Sequence, residues 1–508
     1  MSSSILLYLG VPLGLLSIVA LVFYLYLTWK FDYWVRRGVD GPKPKPLFGT
    51  FPGIVTNKRN FVYELDDVYK EFKGKEQFVG VFTTVQPQIM LIEPDLVQKL
   101  LISDFRSFHN NESSRWVSRE AEPISGSNPF VLTDDIWKEK RAEIVQGLTL
   151  SKVKACYPIL KNVCRKLTAY IKEHEDYSKS GFDVNDLSLR YTGEVVCDTV
   201  WGFEAGSFKE KKNCNFVETS KKTINQTYYS TIFYYASQVL PFIRKIYSVR
   251  FFPVESDKFF LRYLKDAVKV RSENGERGDF LQHLINLKEK KYLSDTELVA
   301  HQLTFLFDGF ETSAIVIAHT LLCIARNQQV QEILREEIRE NLESDGFLSF
   351  ENLQELPYLE CVMNESLRIF TPLAFMSKIC TSPYELTNSK GNPVHLYPGN
   401  IVHIPIHSIH MDESFYDEPG KFKPERFSEE NGGVKKYKDM GVYFPFGDGP
   451  RICLGMKFGL TQSKAAIVEV VKNFQVMVHE KTRSDNYCAP GTFILSLDGG
   501  IHLKFKSL

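Results

Sequence analysis

Apolar residues run almost unbroken through the first part of the chain. No charged side chain occurs from Met1 to Trp29, and at about 1.5 Å of rise per residue a helix of that length exceeds the roughly 30 Å hydrocarbon core of a bilayer. A cleaved signal peptide would have a basic start, a shorter apolar stretch and small residues at its end. Positive charge instead follows the run, beginning with Lys30. Residues 1–29 are therefore predicted to be one transmembrane signal-anchor, with the body of the protein in the cytosol.

Residues 30–50 are predicted to be a basic, proline-rich linker. Prolines alternate with other residues from Pro42 to Pro46, a pattern that forbids a helix and favours a stiff, extended strut. Residues 51–508 contain no internal repeat, low-complexity tract or second linker. We therefore expect them to form one catalytic body.

The body is mostly helical in its periodicity. Apolar residues recur at helical spacing over 95–105, 135–148, 328–342 and 456–474. Residues 301–326 are nearly continuous in apolar character, which predicts a long helix buried on most sides. Residues 78–92 instead alternate and are β-branched, which predicts a hairpin with its turn near Gln86-Pro87. The aromatic residues within 228–253 fit either a core or a surface that dips into the bilayer. The predicted fold class is mainly α.

Charge and cysteine usage narrow the function classes. The 62 Lys and Arg balance the 62 Asp and Glu, and the absence of a basic excess argues against nucleic acid as a partner. The nine cysteines are scattered and never form a C-x-x-C pair. This pattern indicates a reducing compartment rather than a disulfide framework or a zinc site.

One cysteine stands in a glycine-rich segment directly before a predicted helix. The glycines allow a tight loop, and the positive end of the helix points toward the Cys453 sulfur, so both favour a thiolate. A lone cysteine is more often an inert buried residue. Here, however, Phe446, Gly449, Arg451, Cys453 and Gly455 match F-x-x-G-x-R-x-C-x-G. This segment resembles the signature of the cytochrome P450 family.

The resemblance implies a cytochrome P450 fold, a helical body with small β-sheets, and a haem b cofactor. It implies that Cys453 is the axial ligand of the haem iron. Arg451, Trp137 and Arg141 would reach the haem propionates, with Trp137 and Arg141 matching the family's W-x-x-x-R motif. Lys378 occupies a propionate-binding position at which the family usually has an arginine, and a lysine holds a carboxylate less rigidly.

Residues 308–313 (DGFETS) resemble the family's oxygen-binding motif. The resemblance implies that Thr312 and Glu311 are catalytic and relay protons, whereas without it Thr312 could bond only to a helical carbonyl and Glu311 could be a structural acid. Asp308 departs from the family, which usually has Ala or Gly there. A third set of matches implies a structural triad of Glu365, Arg368 and Arg426.

The function implied is that of a haem-thiolate monooxygenase of the microsomal type, most like insect enzymes. It would insert one atom of O2 into a lipophilic xenobiotic, hormone or lipid. Electrons would come from NADPH through NADPH–cytochrome P450 reductase, with cytochrome b5 as an optional second donor, at the cytosolic face of the endoplasmic reticulum membrane. The predicted pocket contains Phe305, Asp308, Phe375 and Met376, with Phe130 and Phe233 as further wall candidates.

Three alternatives stay open at this point. One is a haem-thiolate isomerase or dehydratase that needs no reductase, and another is a haem-containing binder or gas sensor without turnover. The third is an anchored scaffold without haem. A basic excess over residues 435–457, with Lys435, Lys436, Lys438 and Lys457, predicts the surface on which an acidic electron donor docks.

Overall fold

The computed structural model describes residues 2–174, 180–209, 228–246, 250 and 254–508. The described helices are α1 (Ser2–Thr28), α2 (Pro52–Val55), α3 (Phe61–Phe72), α4 (Pro94–Gln98), α5 (Asp134–Val145), α6 (Leu150–Glu173), α7 (Val184–Val196), α8 (Tyr228–Val239), α9 (Ile243–Ile246), α10 (Val254–Asn274), α11 (Phe280–Lys291), α12 (Asp295–Leu306), α13 (Thr312–Arg326), α14 (Gln328–Glu340), α15 (Phe350–Glu355), α16 (Pro357–Ile369), α17 (Ile406–His410), α18 (Gly433–Asp439) and α19 (Met456–Asn473). The prediction of a mainly helical fold is confirmed.

Small sheets flank this helical body. The described strands are β1 (Phe78–Thr83), β2 (Gln86–Leu91), β3 (Asn110–Asn111), β4 (Phe182–Asp183), β5 (Met376–Ile379), β6 (Tyr384–Thr387), β7 (Pro393–Leu396), β8 (Ile401–Ile404), β9 (Phe474–Val478) and β10 (His502–Ser507). They form sheets in the orders β1-β2-β8-β5-β3, β4-β10-β9 and β6-β7. The β2–β8 pair is parallel and the other pairs are antiparallel.

A long helix through the centre carries the core. Helices α12 and α13 are joined by a π-helical turn, Phe307–Glu311, and every α13 residue from Ser313 to Ala325 is buried. This matches the continuous apolar character of residues 301–326. Helix α14 instead buries one face and exposes charged residues on the other, as its amphipathic sequence predicts.

The N-terminal helix α1 lies mostly outside the body. Its apolar side chains from Leu13 to Leu25 are largely exposed, whereas Leu27 is buried against Val85 and Val239. Among the described residues, one helix is long and apolar enough to cross a membrane, Asp295–Arg326, but its apolar window is 76% buried within the body. That helix is therefore a core helix, while α1 presents its apolar surface outward.

The predicted hairpin is confirmed as the antiparallel pair β1 and β2, but two local details differ from the prediction. The hairpin turns at Thr84 and Val85, where Thr84 has φ 54°, and Pro87 lies inside β2 opposite Phe82. Proline is tolerated there because it sits near the end of a strand. The linker is also not a continuous strut, since Lys45 and Gly49 exchange backbone hydrogen bonds of 2.7 and 2.8 Å that close a tight turn. Much of the segment 228–253 forms α8 and α9, and 247–249 and 251–253 lie outside the described residues.

Candidate active site

A tight loop presents Cys453 at the start of α19. The Cys453 N–H donates to the Phe446 carbonyl at 2.9 Å, and the Gly447 N–H donates to the Phe444 carbonyl at 2.9 Å. Gly449 has φ +66°, and a Cβ added to it would lie 2.0 Å from the Leu101 carbonyl oxygen. Only glycine fits this position, because both the left-handed backbone and the close approach exclude a side chain.

The sulfur faces an enclosed cavity. Cys453 carries accessible surface, yet it lies deep enough in the protein that burial raises its pKa to about 11. Asp308, on the π-helical turn before α13, also carries accessible surface, and burial raises its pKa as well. The Asp308 carboxylate also acts on the thiol electrostatically and raises its pKa. The two residues therefore stand on opposite walls of one internal space.

Backbone donors partly offset the cost of a thiolate in this cavity. Burial and the charge of Asp308 raise the pKa of Cys453. Hydrogen bonds from the Gly455 and Met456 backbone N–H groups and the charge of Arg141 lower it. The two N–H groups belong to the first turn of α19, so they are not used within that helix. Burial nevertheless dominates. A thiolate here needs a positively charged partner inside the cavity.

Three cationic side chains converge beside the same loop. Burial, and then Arg451 and Arg141, lower the pKa of Lys378 to about 7, and burial, followed by Arg141, lowers that of Arg451 to about 9. The charge of Asp134 raises the pKa of Arg451 and so offsets part of the repulsion among the cations. The same carboxylate also accepts hydrogen bonds from His109 and Asn110. The cluster therefore retains a positive excess in a buried place.

Hydrogen bonds and an indole ring hold this cationic cluster in position. Arg451 lies 4.1 Å over the Trp137 ring and donates to the Leu132 carbonyl at 2.8 Å. Arg141 donates to the Ile452 carbonyl at 2.7 Å, and the Lys378 ammonium donates to Asn111 Oδ1 at 2.8 Å. The Arg451 Nε is buried and has no partner among the described residues. An unpaired guanidinium N–H at this place fits a carboxylate that enters the cavity.

The residues present therefore fit a haem. Cys453 offers a sulfur that needs a cation, and Arg451, Arg141 and Lys378 offer a buried site for anionic carboxylates. A haem carries both an iron cation and two propionates. Sequence reasoning predicted these four residues and Trp137, and the structure brings all five together.

The wall opposite Cys453 is the π-helical turn Phe307–Glu311. Thr312 Oγ1 donates a hydrogen bond to the Asp308 carbonyl in the preceding turn, which is the bond expected of a helical threonine. Burial raises the pKa of Glu311. Gln462 of α19 reaches across and donates to the Gly309 carbonyl at 3.0 Å and the Ser313 hydroxyl at 2.8 Å. The helix that begins next to Cys453 thus also positions the opposite wall.

Asp308 meets an asparagine from another element. Burial raises the pKa of Asp308 to about 7, and a hydrogen bond with Asn128 lowers it. Asn128 precedes α5 and is buried. The acid that departs from the family motif is thus placed on the cavity wall with a neutral polar partner.

The three residues predicted to form a structural triad do meet. Arg368 donates to both Glu365 oxygens at 2.8 Å, and Arg426 Nε donates to Glu365 Oε1 at 3.1 Å. Arg368 also donates to the His410 carbonyl at 2.8 Å. His410 Nε2 in turn accepts the Phe444 N–H at 3.1 Å. This chain of contacts connects the triad to the start of the cysteine loop.

The predicted pocket residues are more dispersed. Phe305 is 8% exposed, and its ring centroid lies 3.6 Å from that of Phe280 within the main core, with the two rings tilted by 46°. Phe375 packs against Phe61 at 4.4 Å. Met376 does reach the loop, because its Cε lies 3.4 Å from a Cβ built on Gly447. Met376 thus contacts the cysteine loop directly.

Two further wall candidates lie at different degrees of exposure. Phe130 is 39% exposed, and Phe233 is half-buried on α8.

Sequence reasoning missed the polar residues that support the site. These residues come from four separate segments of the chain, and none belongs to a motif that contains its contact partner: Asn111, Asn128, His410 and Gln462. A single sequence carries no signal for such long-range partners. The one available cue was the position of Gln462 on the first two turns of the helix that follows Cys453.

The fold and site define a haem-thiolate class of protein, and comparisons with known proteins agree. The family model described as Cytochrome P450 matches residues 39–505. A relative named Probable cytochrome P450 28d1, from Drosophila melanogaster, is 44% identical over 493 residues, which cover 96% of this chain and 97% of the relative. Probable cytochrome P450 309a1 from the same species is 37% identical, over 98% of this chain and 99% of the relative.

A relative from a second insect extends the comparison. Cytochrome P450 9e2 of Blattella germanica is 29% identical, over 97% of each chain. The chain therefore belongs to the cytochrome P450 family and is an insect member of it. The resemblance seen in the sequence is confirmed, and family membership supports monooxygenase chemistry and a haem cofactor.

The loop geometry predicts the effect of one methyl group. Gly449→Ala should lower the free energy of unfolding by about 3 kcal/mol relative to Gly391→Ala, because both add left-handed strain but only Gly449 has a backbone oxygen in the way. Gly391 has φ +79° and nothing within 4 Å of an added Cβ. Chemical denaturation of the two variants measures the difference. Equal losses would contradict the loop packing described here.

Proposed function

We propose that this chain is a membrane-anchored monooxygenase that inserts one oxygen atom of O2 into a lipophilic substrate, with NADPH electrons supplied by a separate reductase. The observation that carries the proposal is the enclosed cavity with Cys453 on one wall, the π-helical turn on the other and a cationic cluster at its side. Bound haem would supply the redox-active iron at which O2 is reduced.

The chain's residues would hold the cofactor at two ends. Cys453 would ligate the iron, with its sulfur supported by the Gly455 and Met456 N–H groups. Arg451, Arg141 and Lys378 would bind the propionates. Phe446, Gly449 and Gly455 would shape the loop, and Trp137 would support the guanidinium of Arg451 from its ring face.

Thr312 and Glu311 would handle protons on the opposite wall. In the structure the Thr312 hydroxyl donates to the Asp308 carbonyl, so its oxygen is free to accept a hydrogen bond from the cavity side. Burial raises the pKa of Glu311 and favours the protonated acid more than in water. The pair would thus hold a proton at Glu311, and Thr312 Oγ1 would accept it while releasing its own proton from the Asp308 carbonyl toward the cavity.

Helix α1 would anchor the enzyme in the endoplasmic reticulum membrane. Its exposed apolar side chains and its lack of charge support an anchor, while Lys30, Arg36 and Arg37 after it support a cytosolic body. The domain division would then be anchor 1–29, linker 30–50 and haem-binding domain 51–508. An electron donor, the reductase or cytochrome b5, would dock at the basic segment 435–457.

Lipophilic molecules such as xenobiotics, hormones or lipids are the proposed substrates. The cavity lies inside an apolar body, and α1 would keep that body at the membrane, where such molecules concentrate.

A reconstituted system tests the reaction type. We expect the full-length protein, reductase and NADPH under 18O2 to convert at least one member of a panel containing a steroid, a fatty acid and a terpene, with one 18O atom in each hydroxylated product. NADPH must be required for the conversion. Conversion without NADPH or reductase would favour the isomerase or dehydratase. Reduction of the iron with no product across the panel would favour a haem-containing sensor.

The proton-relay assignment predicts how one hydroxyl affects coupling. Thr312→Val should reduce product formation about a hundredfold, within the range contributed by positioned proton transfer, while NADPH oxidation continues and hydrogen peroxide accumulates. Thr304→Val is the matched control, because Thr304 makes the same bond to a carbonyl one turn earlier but lies in the buried part of α12. Product and peroxide per NADPH are measured for both. Unchanged coupling in Thr312→Val would contradict the assignment.

A further inference from the structure

A polar cleft opens where the N-terminal helix meets the body. It has a volume of about 350 Å³ and lies between the segment after α1, the start of β2, the end of α8 and the turn before β8. Its walls include Lys30, Gln86, Gln238, Arg244 and Asn400. The cleft is separate from the cysteine cavity and has no role in the mechanism above.

The charge of the cleft is positive. Lys30, Arg115 and Arg244 line it, and no aspartate or glutamate is among its described lining residues. Burial lowers the pKa of Arg244, and the nearby Arg115 lowers it further. Glu112 lies close to both arginines, yet it is fully enclosed and burial raises its pKa. One buried acid thus lies near two of the three cations, Arg115 and Arg244.

The two guanidinium groups have donors to spare. Arg115 Nη2 donates to the Gly399 carbonyl at 2.9 Å, and Arg244 Nε donates to Ser237 Oγ at 2.8 Å. In the described part of the chain, their other N–H groups make no hydrogen bond. Each guanidinium is thus held by one hydrogen bond and keeps further N–H donors beside the cleft. Two such groups suit a phosphate, which accepts several hydrogen bonds at once.

The position of the cleft relative to α1 identifies the source of that phosphate. The Tyr26 hydroxyl donates to the Val239 carbonyl at 2.6 Å, and Leu27 packs on Val85 and Val239. Gln86 and Gln238, which are adjacent in sequence to Val85 and Val239, line the cleft. If α1 crosses the membrane, as proposed above, its end and the cleft lie at the level of the lipid headgroups.

Apolar side chains beside the cleft favour a lipid over a free anion. Phe242 is 54% exposed and Ile246 is 78% exposed, and they flank Arg244 in the sequence. Large apolar side chains exposed next to cationic ones are typical of surfaces that insert into the boundary between headgroups and acyl chains.

We propose that this cleft binds the phosphate of an anionic phospholipid headgroup, with Arg115 and Arg244 as its main ligands and Lys30 as a third cation. The proposal rests on the membrane anchor proposed above. A bound headgroup would add a second point of attachment to the membrane beside α1. Two points of attachment would fix the tilt of the body on the membrane.

Titration of soluble short-chain lipids tests the site on the full-length haem protein in mild detergent. Isothermal titration calorimetry with dihexanoylphosphatidylglycerol should show one bound lipid, and dihexanoylphosphatidylcholine should bind at least about tenfold more weakly. Arg115→Ala/Arg244→Ala should weaken binding of the anionic lipid about tenfold or more. Arg262→Ala/Arg339→Ala removes the same charge from exposed positions that do not line the cleft and should leave binding unchanged.

Three results would overturn the proposal. These are equal binding of the two lipids, equal losses in the two double variants, and inorganic phosphate binding as tightly as the anionic lipid, which would assign the cleft to a free anion. The ferrous-CO spectrum of each variant controls for folding. It also separates this test from the proposed reaction, because lipid binding is measured without turnover.

Discussion

Burial of charge around Cys453 is the constraint that the rest of the structure serves. The Cys453 sulfur and the cationic groups of Arg451, Arg141 and Lys378 lie deep among protein atoms, and burial is the largest influence on the pKa of each. A buried charge without a partner costs several kcal/mol, and a complementary partner with good geometry offsets much of that cost. The site is thus complete only with a group that brings a cation to the sulfur and carboxylates to the arginines, and haem has this charge pattern.

The surrounding scaffold keeps the two walls of the cavity at a fixed separation. Gln462 ties the helix that begins beside the cysteine to the π-helical turn opposite. On the outer side, Arg368 binds the His410 carbonyl while the His410 ring accepts the Phe444 N–H. A buried ion pair contributes little net stability, so the Glu365 triad is better understood as a device that fixes the position of the loop. Rigid walls matter because proton transfer depends on the distance between donor and acceptor.

Local sequence patterns and motif spacing predicted the helical fold and the residues of the site. They did not predict contacts between residues that are distant in the sequence. The long core helix and the ligand loop follow from apolar periodicity and from glycines around Cys453, both of which are encoded in neighbouring residues. Sequence placed the hairpin turn two residues late, because Gln86-Pro87 has turn composition but is held in β2 by pairing with β1. The contact of Phe305 with Phe280 was likewise not evident from the sequence, because it depends on how the two helices pack. Asn128 could not be foreseen, since its contact with Asp308 depends on how α5 docks.

The CO difference spectrum of the reduced protein tests the central claim most directly, because its position reports the ligand opposite CO. The account predicts that the wild-type protein gives the long-wavelength band typical of a thiolate ligand. In Cys453→Ala that band should disappear, while variants of the other described cysteines, such as Cys361→Ala, retain it. A thiolate-type band that persists in Cys453→Ala would contradict the assignment of Cys453 and, with it, the account of the cavity as a haem-thiolate site.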